Sequence, residues 1–314
     1  MRPIFRLAAS LLAAIGLCTA VGTAQPSPTV VRVGGVQTDD ITPLVYAIRT
    51  GMFRRAGLEV VAIPANSGAA TAAAVLSGSY EIGKSSLLSL MNAHLRRLPL
   101  TVIAAGVVHD THNPFAKLCV AADAPYKNGK DFDGKTIAVS ALNDLSQVAI
   151  DAWVDKSGGD AASIRYVELP VSAMPAAVAE HRVDGAFILY PVLADALASG
   201  KVRAVVAAYD AIAPYFVLSA WFTTTNYAST HPDIIRTFVR VMYAAAAYTN
   251  KHHAETAPMM SELTKTPLAI YETMARVDAA TSTNPKDWQP PIDAAAKYHV
   301  IPQAFPAKDF LWPG

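Results

Sequence analysis

Cysteine is nearly absent from this chain: 314 residues contain two, Cys18 and Cys119. Charge is scarce as well. Charged residues make up 16% of the chain, and 26 basic residues against 25 acidic ones leave a formal charge of +1. That leaves no basic field to hold nucleic acid and no run of one sign to attract a polyelectrolyte. Nucleic acid is therefore excluded as a partner. No apolar stretch approaches the ~20 residues that a membrane-spanning helix needs; the run at residues 7–17 is well short of it. Catalytic signatures are missing too. There is no Gly-x-Ser-x-Gly, no P-loop and no Gly-x-Gly-x-x-Gly, and the eight histidines stand in no recognisable pattern with a serine or cysteine. Low-complexity tracts are also absent.

What is present begins with an export signal. Arg2 and Arg6 precede the apolar run LAASLLAAIGL, and small residues follow, with Gly22 and Ala24 three places and one place before Gln25. A positive segment, a short apolar core and small residues at the cut describe a secretory signal peptide. The expected cut is after Ala24, with Ala20 as the alternative, so residues 1–24 are assigned to the signal and the mature protein to the periplasm. Leu17 before Cys18 argues against a lipid-attachment site. Removing the signal takes Arg2 and Arg6 with it and leaves 24 basic against 25 acidic residues, a net −1. Cys119 then stands alone, unable to form an internal disulfide, and is expected to be buried as a small hydrophobe.

The mature length fits roughly two domains, and 52% apolar residues can fill two cores. Strand and helix alternate through both. VVRVGGV (30–36), LEVVAIP (58–64), EIGKS (81–85) and LTVIAAGVV (100–108) read as strands; 42–57, 67–78 and 86–97 read as helices between them. Thr42 is positioned to cap the first helix, Pro43 to begin it, and Leu44, Val45, Ile48 and Met52 share one face. A strand at 114–122 follows. The alternation then restarts, with strands at 135–141, 163–170, 185–190 and 202–208 and helices at 145–158, 172–182 and 191–200. A long strand at 214–229 leads back, and the rest reads as helices broken at Pro258, Pro267 and Pro290. This order predicts mostly parallel sheets covered by helices on both faces.

Three blocks carry a family resemblance. The first is TPLVYAIRTGMFRRAGLEVVAIPANSGAATAAAVLSGSYEIGKSS, the second DFDGKTIAVSALNDLSQVAIDAWVDKSGGDAASIRYVELPVSAMPAAVAEHRVDGAFILYPVLADAL, the third FVLSAWFTTTNYASTHPDIIRTFVRVMYAAAAYTNKH. In this order, over about residues 30–255, they resemble the solute-binding proteins of ABC importers for nitrate, alkylsulfonates, taurine and thiamine pyrimidine precursors. The resemblance implies a two-lobed α/β chain of the type II periplasmic-binding-protein fold with a ligand cleft between the lobes. Lobe one would hold 28–118 and 215–314, and lobe two 119–214, joined by two crossing strands. It implies a monomer that captures a small polar or anionic organic solute (a sulfonate, a carboxylate or a nitrogen heterocycle), closes on it, and delivers it to an inner-membrane ABC permease. No cofactor, metal or catalysis is implied. The chain departs from the family at Leu189-Tyr190-Pro191, where many relatives have an aromatic-acidic-Pro triplet, and at Lys84, where small residues are common.

In open α/β sheets the ligand sits beyond the carboxyl ends of the strands, against helix N-termini whose free N–H groups favour polar or anionic groups. Those ends hold Gln37, Thr38 and Asp39; Ser67 and Gly68; Ser85 and Ser86; His109; and, in the second unit, Asn143, Leu145 and Ser146, with Tyr190 at a later strand end. All are candidate ligand contacts. Each also has a plainer reading. A serine at a helix start caps it whether or not anything binds, Asp39 and Asp40 could be solvated loop residues, Tyr190 could be strand-end packing, and Lys84 could pair with a ligand anion or with a carboxylate of the chain. His109-x-x-His112 with Asp110 offers metal-ligand types, but nothing downstream completes a zinc set. Two other function classes fit the same architecture: an extracytoplasmic enzyme, which needs a perturbed acid or base in the cleft, and a sensor input protein, which needs no permease.

Overall fold

The computed structural model describes residues 28–314. The signal-peptide assignment, 1–24, lies outside the described residues.

Thirteen strands are described: β1 Thr29–Gly35, β2 Leu58–Pro64, β3 Ile82–Ser86, β4 Leu100–Ala105, β5 Val107–Asp110, β6 Ala116–Ala121, β7 Thr136–Val139, β8 Arg165–Glu168, β9 Gly185–Leu189, β10 Val202–Val206, β11 Tyr215–Val217, β12 Ser219–Thr224 and β13 Asp278–Ala279. They form two five-stranded sheets, in the orders β2-β1-β3-β12-β4 and β10-β6-β9-β7-β8, and a small third sheet, β11-β5-β13. In the first sheet β2, β1 and β3 run parallel, and β12 enters antiparallel between β3 and β4. In the second, β9, β7 and β8 are parallel while β6 and β10 run against their neighbours. The helices are α1 Thr42–Arg49, α2 Met52–Arg55, α3 Gly68–Leu76, α4 Leu87–Leu95, α5 Leu145–Lys156, α6 Met174–Ala179, α7 Val192–Ala198, α8 Thr225–Thr230, α9 Pro232–Thr249, α10 His253–Thr264, α11 Leu268–Thr273 and α12 Gln289–Lys297.

The α/β alternation holds, and the differences have local causes. The helix expected over 42–57 is two helices, because Gly51 turns left-handed at φ 72°. Thr42 is the first helical residue and not the cap, and its hydroxyl donates to the Asp39 carbonyl at 2.6 Å. The strands expected at 100–108 and 214–229 are each split, at Gly106 and Leu218, where the chain leaves one sheet for another, and from Thr225 the second is helix α8, which Thr224 caps. Pro258 sits inside α10 and does not end it. The other two prolines behave as read: Pro267 precedes α11 and Pro290 lies in the first turn of α12.

Each lobe has its own core. In the first, Phe53, Trp221 and Phe238 are buried between the sheet and α9, with Phe53 stacked on Phe238 at 5.5 Å. In the second, Met174, Val178, Ile188 and Leu193 seal α6 and α7 onto β9, with Cys119 among them. Cys119 is fully buried, as expected of a lone thiol, and burial pushes it up to about 12. A third cluster runs through both units and includes Leu87, Phe216, Val148 and Trp288.

The lobes are joined by β5 and β11, which pair antiparallel, Phe216 opposite His109, with β13 on the far side of β5. The C-terminal segment adds a second tie. α12 packs on α5, where Tyr298 donates to Asp155 at 2.9 Å, and the chain then returns to β4, where Trp312 N bonds Val102 O at 2.7 Å.

Two stability consequences follow from positions in this frame. A Cβ on Gly106 would lie 2.9 Å from the Ser219 carbonyl oxygen, a contact that must be relieved by moving backbone. Gly106→Ala is expected to cost about 1–3 kcal/mol, read as a lower midpoint in urea; an unchanged midpoint would refute the claim that this approach is tight. Asp151 is buried in α5 and accepts from Tyr166 at 2.5 Å. Burial raises it from 3.8 to about 6, against the opposing effect of the tyrosine bond. Its charged form is disfavoured in the fold, so its cost is absent below pH 4, grows between pH 4 and 6, and is complete above 6. Asp151→Asn keeps an acceptor for Tyr166. It should be more stable than the parent by about 2–3 kcal/mol at pH 7.5 and equal to it at pH 4, in paired denaturation curves.

Candidate functional site

A cavity of about 810 Å³ opens between the two lobes. Its walls come from the β1–α1 loop, the start of α4, the β7–α5 loop, the β9–α7 junction and the α10–α11 segment. A volume of this size, lined by apolar and polar side chains together, is that of a small-molecule site.

Of the residues chosen from the sequence, Gln37, Thr38, Asp39, Ser86, Asn143, Leu145 and Tyr190 line this cavity. Ser67, Gly68, Ser85, His109 and Ser146 stand apart from it, and the reasons are geometric. Successive strand residues point to opposite faces, so Ser85 and Ser86 cannot both face the cleft. Ser85 lies on the face covered by α3, where a Cβ on Gly68 would come within 2.2 Å of its hydroxyl. Ser67 caps α3, accepting from Ala70 N at 3.1 Å. His109 is buried within the crossing sheet, its Nε2 2.8 Å from Asp210 and its ring between Tyr209 and Phe216. Burial lowers its pKa, which favours the neutral ring. Ser146 is buried, with its hydroxyl donating to Asp144 at 2.5 Å. His112 turns away from His109 to Asp110, and among the described residues no group of three or more His, Cys, Asp or Glu could hold a metal ion.

The cleft loops are organised by charge. Asp39 accepts from Arg276 Nε at 2.6 Å and from the backbone N of Val277 at 3.2 Å, and the Arg276 side chain is 2% exposed. The guanidinium also bonds Thr42 and lies 4.8 Å from the Tyr271 ring centre. Asp40 pairs with buried Lys84 and accepts from Thr38 at 2.5 Å. Lys84 therefore serves a carboxylate of its own chain. Across the cleft, Asn143 takes a left-handed conformation at φ 54°, which asparagine tolerates better than most residues. The next residue, Asp144, caps α5.

Several wall residues had not been singled out: Ser89 and Asn92 on α4, Phe115, Tyr209, and Thr264, Thr266 and Tyr271 near the C-terminal helices. A signal existed for the first two. Ser86, Ser89 and Asn92 fall three apart in an otherwise apolar segment, which puts them on one side of a helix. The C-terminal residues reach the cleft only through tertiary packing, which no local pattern reveals.

With this geometry in place, comparison with known proteins settles the lineage. Residues 38–256 match the family described as NMT1/THI5 like. The chain belongs to that family. Its fold is that of the aliphatic sulphonate-binding periplasmic protein SsuA of Escherichia coli, at TM-score 0.74 and 17% identity over 91% of this chain and 92% of that one. The alkanesulfonate-binding SsuA of Xanthomonas axonopodis pv. citri, solved bound to MOPS, gives TM-score 0.68 and 16% identity over 92% and 99%. The desulfurization enzyme DSZB gives TM-score 0.65 and 11% identity over 91% and 96%. No curated protein sequence matches. The NMT1/THI5-like chain thus has the periplasmic-binding-protein fold expected from its sequence.

The Asp39–Arg276 pair should be tightly coupled. Removing one partner of a buried ion pair leaves an uncompensated charge, at about 3–5 kcal/mol. Arg276→Met is expected to lose that much in urea unfolding, and Asp39→Asn in the same chain to recover most of it. A single variant as stable as the parent would show the pair to be dispensable.

Proposed function

We propose that this protein is the substrate-binding component of an ABC importer. It captures a small organic solute between its lobes, in the periplasm after loss of residues 1–24, and delivers it as a monomer to an inner-membrane permease. The observation that carries this reading is the cavity between two lobes joined by the paired crossing strands β5 and β11. Such a joint lets the lobes rotate about a few residues and bury a ligand between them. Family membership and the sulfonate-binding neighbours support it. No helix among the described residues is long and apolar enough to cross a membrane.

The enzyme alternative draws support from one neighbour of similar fold. Asp144, raised by burial in the cleft wall, is the acid that such an enzyme would use, but two other candidate reactive groups lie outside the cleft. Cys119 is buried in the second lobe with its thiol held protonated, and His109 is enclosed in the crossing sheet with Asp210.

The two readings separate in one experiment. The protein is purified from its natural host, and small molecules released on denaturation are identified by mass spectrometry. The released molecule is then added to refolded protein. A transport clamp should gain about 2.7 kcal/mol at a hundred times the dissociation constant, several degrees in melting temperature, and should return the molecule chemically unchanged. Conversion of the molecule would make the protein an enzyme.

A further inference from the structure

The clamp reading leaves open what kind of charge its cargo carries, and the cleft walls bear on that. Two cations approach the cleft, Lys84 and Arg276, and both are occupied by Asp40 and Asp39. Among the described residues no lysine, arginine or histidine lines the cavity, whereas Asp39, Asp40 and Asp144 do. Helix N-termini attract anions; the start of α4 carries Ser86 and no carboxylate, but at α5 and α1 the chain supplies its own. Asp144 sits at the start of α5, and Asp39 and Asp40 lie just ahead of α1.

Asp144 differs from the other two carboxylates. Every hydrogen bond it accepts goes to Oδ1: from Ser146 N at 2.9 Å, from the Ser146 hydroxyl at 2.5 Å and from Gln147 N at 3.2 Å. Oδ2 receives none from the described residues. Tyr209 lies in the same wall, 7% exposed, its ring packed edge-on against Phe187 at 5.0 Å. Its hydroxyl has no hydrogen-bond partner among the described residues. Burial first, then the Asp144 charge, raises the Tyr209 pKa and keeps that hydroxyl protonated. Burial likewise raises Asp144, with Glu168 adding to the effect. A bound cation or N–H donor offsets both. Phe115 and Tyr190 offer apolar wall area for the body of such a molecule.

We infer that the cleft selects a nitrogen-bearing solute, cationic or neutral with N–H donors, held by Asp144 Oδ2 beside the Tyr209 hydroxyl, and that it rejects organic anions. This rests on the clamp reading and sets the cargo apart from the sulfonates of the SsuA neighbours.

The test uses two ligand series on a phenyl and a butyl scaffold, each carrying an amidinium, a carboxamide, a carboxylate or a sulfonate. Binding is measured by calorimetry and by melting temperature at millimolar concentration. Asp144→Asn is the informative variant, because asparagine caps a helix about as well as aspartate and so preserves α5. The amidinium or carboxamide members should bind the parent and the anionic members should not. Asp144→Asn should melt near the parent yet lose amidinium affinity on the order of 10- to 100-fold, the loss expected for a hydrogen bond to a charged group. Tyr209→Phe should weaken the same ligands without reversing the preference. If the carboxylate or sulfonate members bind as well as the amidinium, the clamp stands and the charge assignment is overturned. If no member of either series binds the parent, the charge assignment is overturned, while the clamp reading is decided separately by the molecule released from the protein.

Discussion

The joint between the lobes rests on the close approach of Gly106 to Ser219, and the rest of the architecture depends on it. Gly106 N donates to the Ser219 carbonyl at 2.7 Å, Val107 N donates to the Ser219 hydroxyl at 2.9 Å, and Ala280 N donates to the Gly106 carbonyl at 2.7 Å. Three separate passages of the chain meet at these bonds: the exit from the first sheet, the return to it, and the strand β13. A side chain at 106 would hold them apart. Because they meet, β5 and β11 can leave the two large sheets side by side and pair with each other, and the cavity forms where the sheets diverge. The C-terminal strap through α12 crosses from lobe to lobe at a separate place, so opening is constrained at two points.

The ion pairs act on the next level. Asp39 and Asp40 stand at the end of β1, in the loop that must face the cleft. Left uncompensated, they would repel each other and any anionic cargo. Arg276 and Lys84 are delivered to them from distant elements, the segment after α11 and strand β3. The pairs therefore fix the loop to two other parts of lobe one. They also remove from the cleft the two cations most able to hold an anion. A buried pair contributes little net stability, so the lasting effect is on geometry and on the charge left over. That remaining charge is the free oxygen of Asp144.

Much of the frame was readable from sequence because it rests on local rules. β2 matches its expected bounds, since Gly57 and Pro64 bracket an apolar run. α5 starts where expected because Asp144 caps it. The misreadings share a cause. Residues 100–108 and 214–222 are largely apolar stretches, and nothing local says that Gly106 or Leu218 hands the chain from one sheet to another. The site was half legible for the same reason. Placing ligand residues at strand ends found the β1 and β7 loops, while Ser85 required knowing which face of β3 α3 covers. His109 required knowing that β5 crosses between lobes, where a polar side chain is enclosed by Tyr209 and Phe216. Lys84 was ambiguous in sequence because its partner, Asp40, is 44 residues away.

The structural neighbours share this frame at 11–17% identity, which is enough to keep sheet order and lobe connection but says little about the loops. In an open α/β sheet, fold and ligand choice are separable in this way. The strands and their covering helices are set by buried apolar pattern, while the loops at their ends are free to change. A helix N-terminus pointing into a cleft can receive a ligand anion only if the chain has not already placed a carboxylate there. In this protein Asp144 occupies the start of α5, and the Asp39–Asp40 pair precedes α1. One scaffold can in this way offer donors to an anion or acceptors to a cation, according to the residues at its loops. Here two loops carry the cleft carboxylates: Arg276 and Lys84 neutralise those ahead of α1, and Asp144 at the start of α5 has, among the described residues, no cation beside it in the cavity wall.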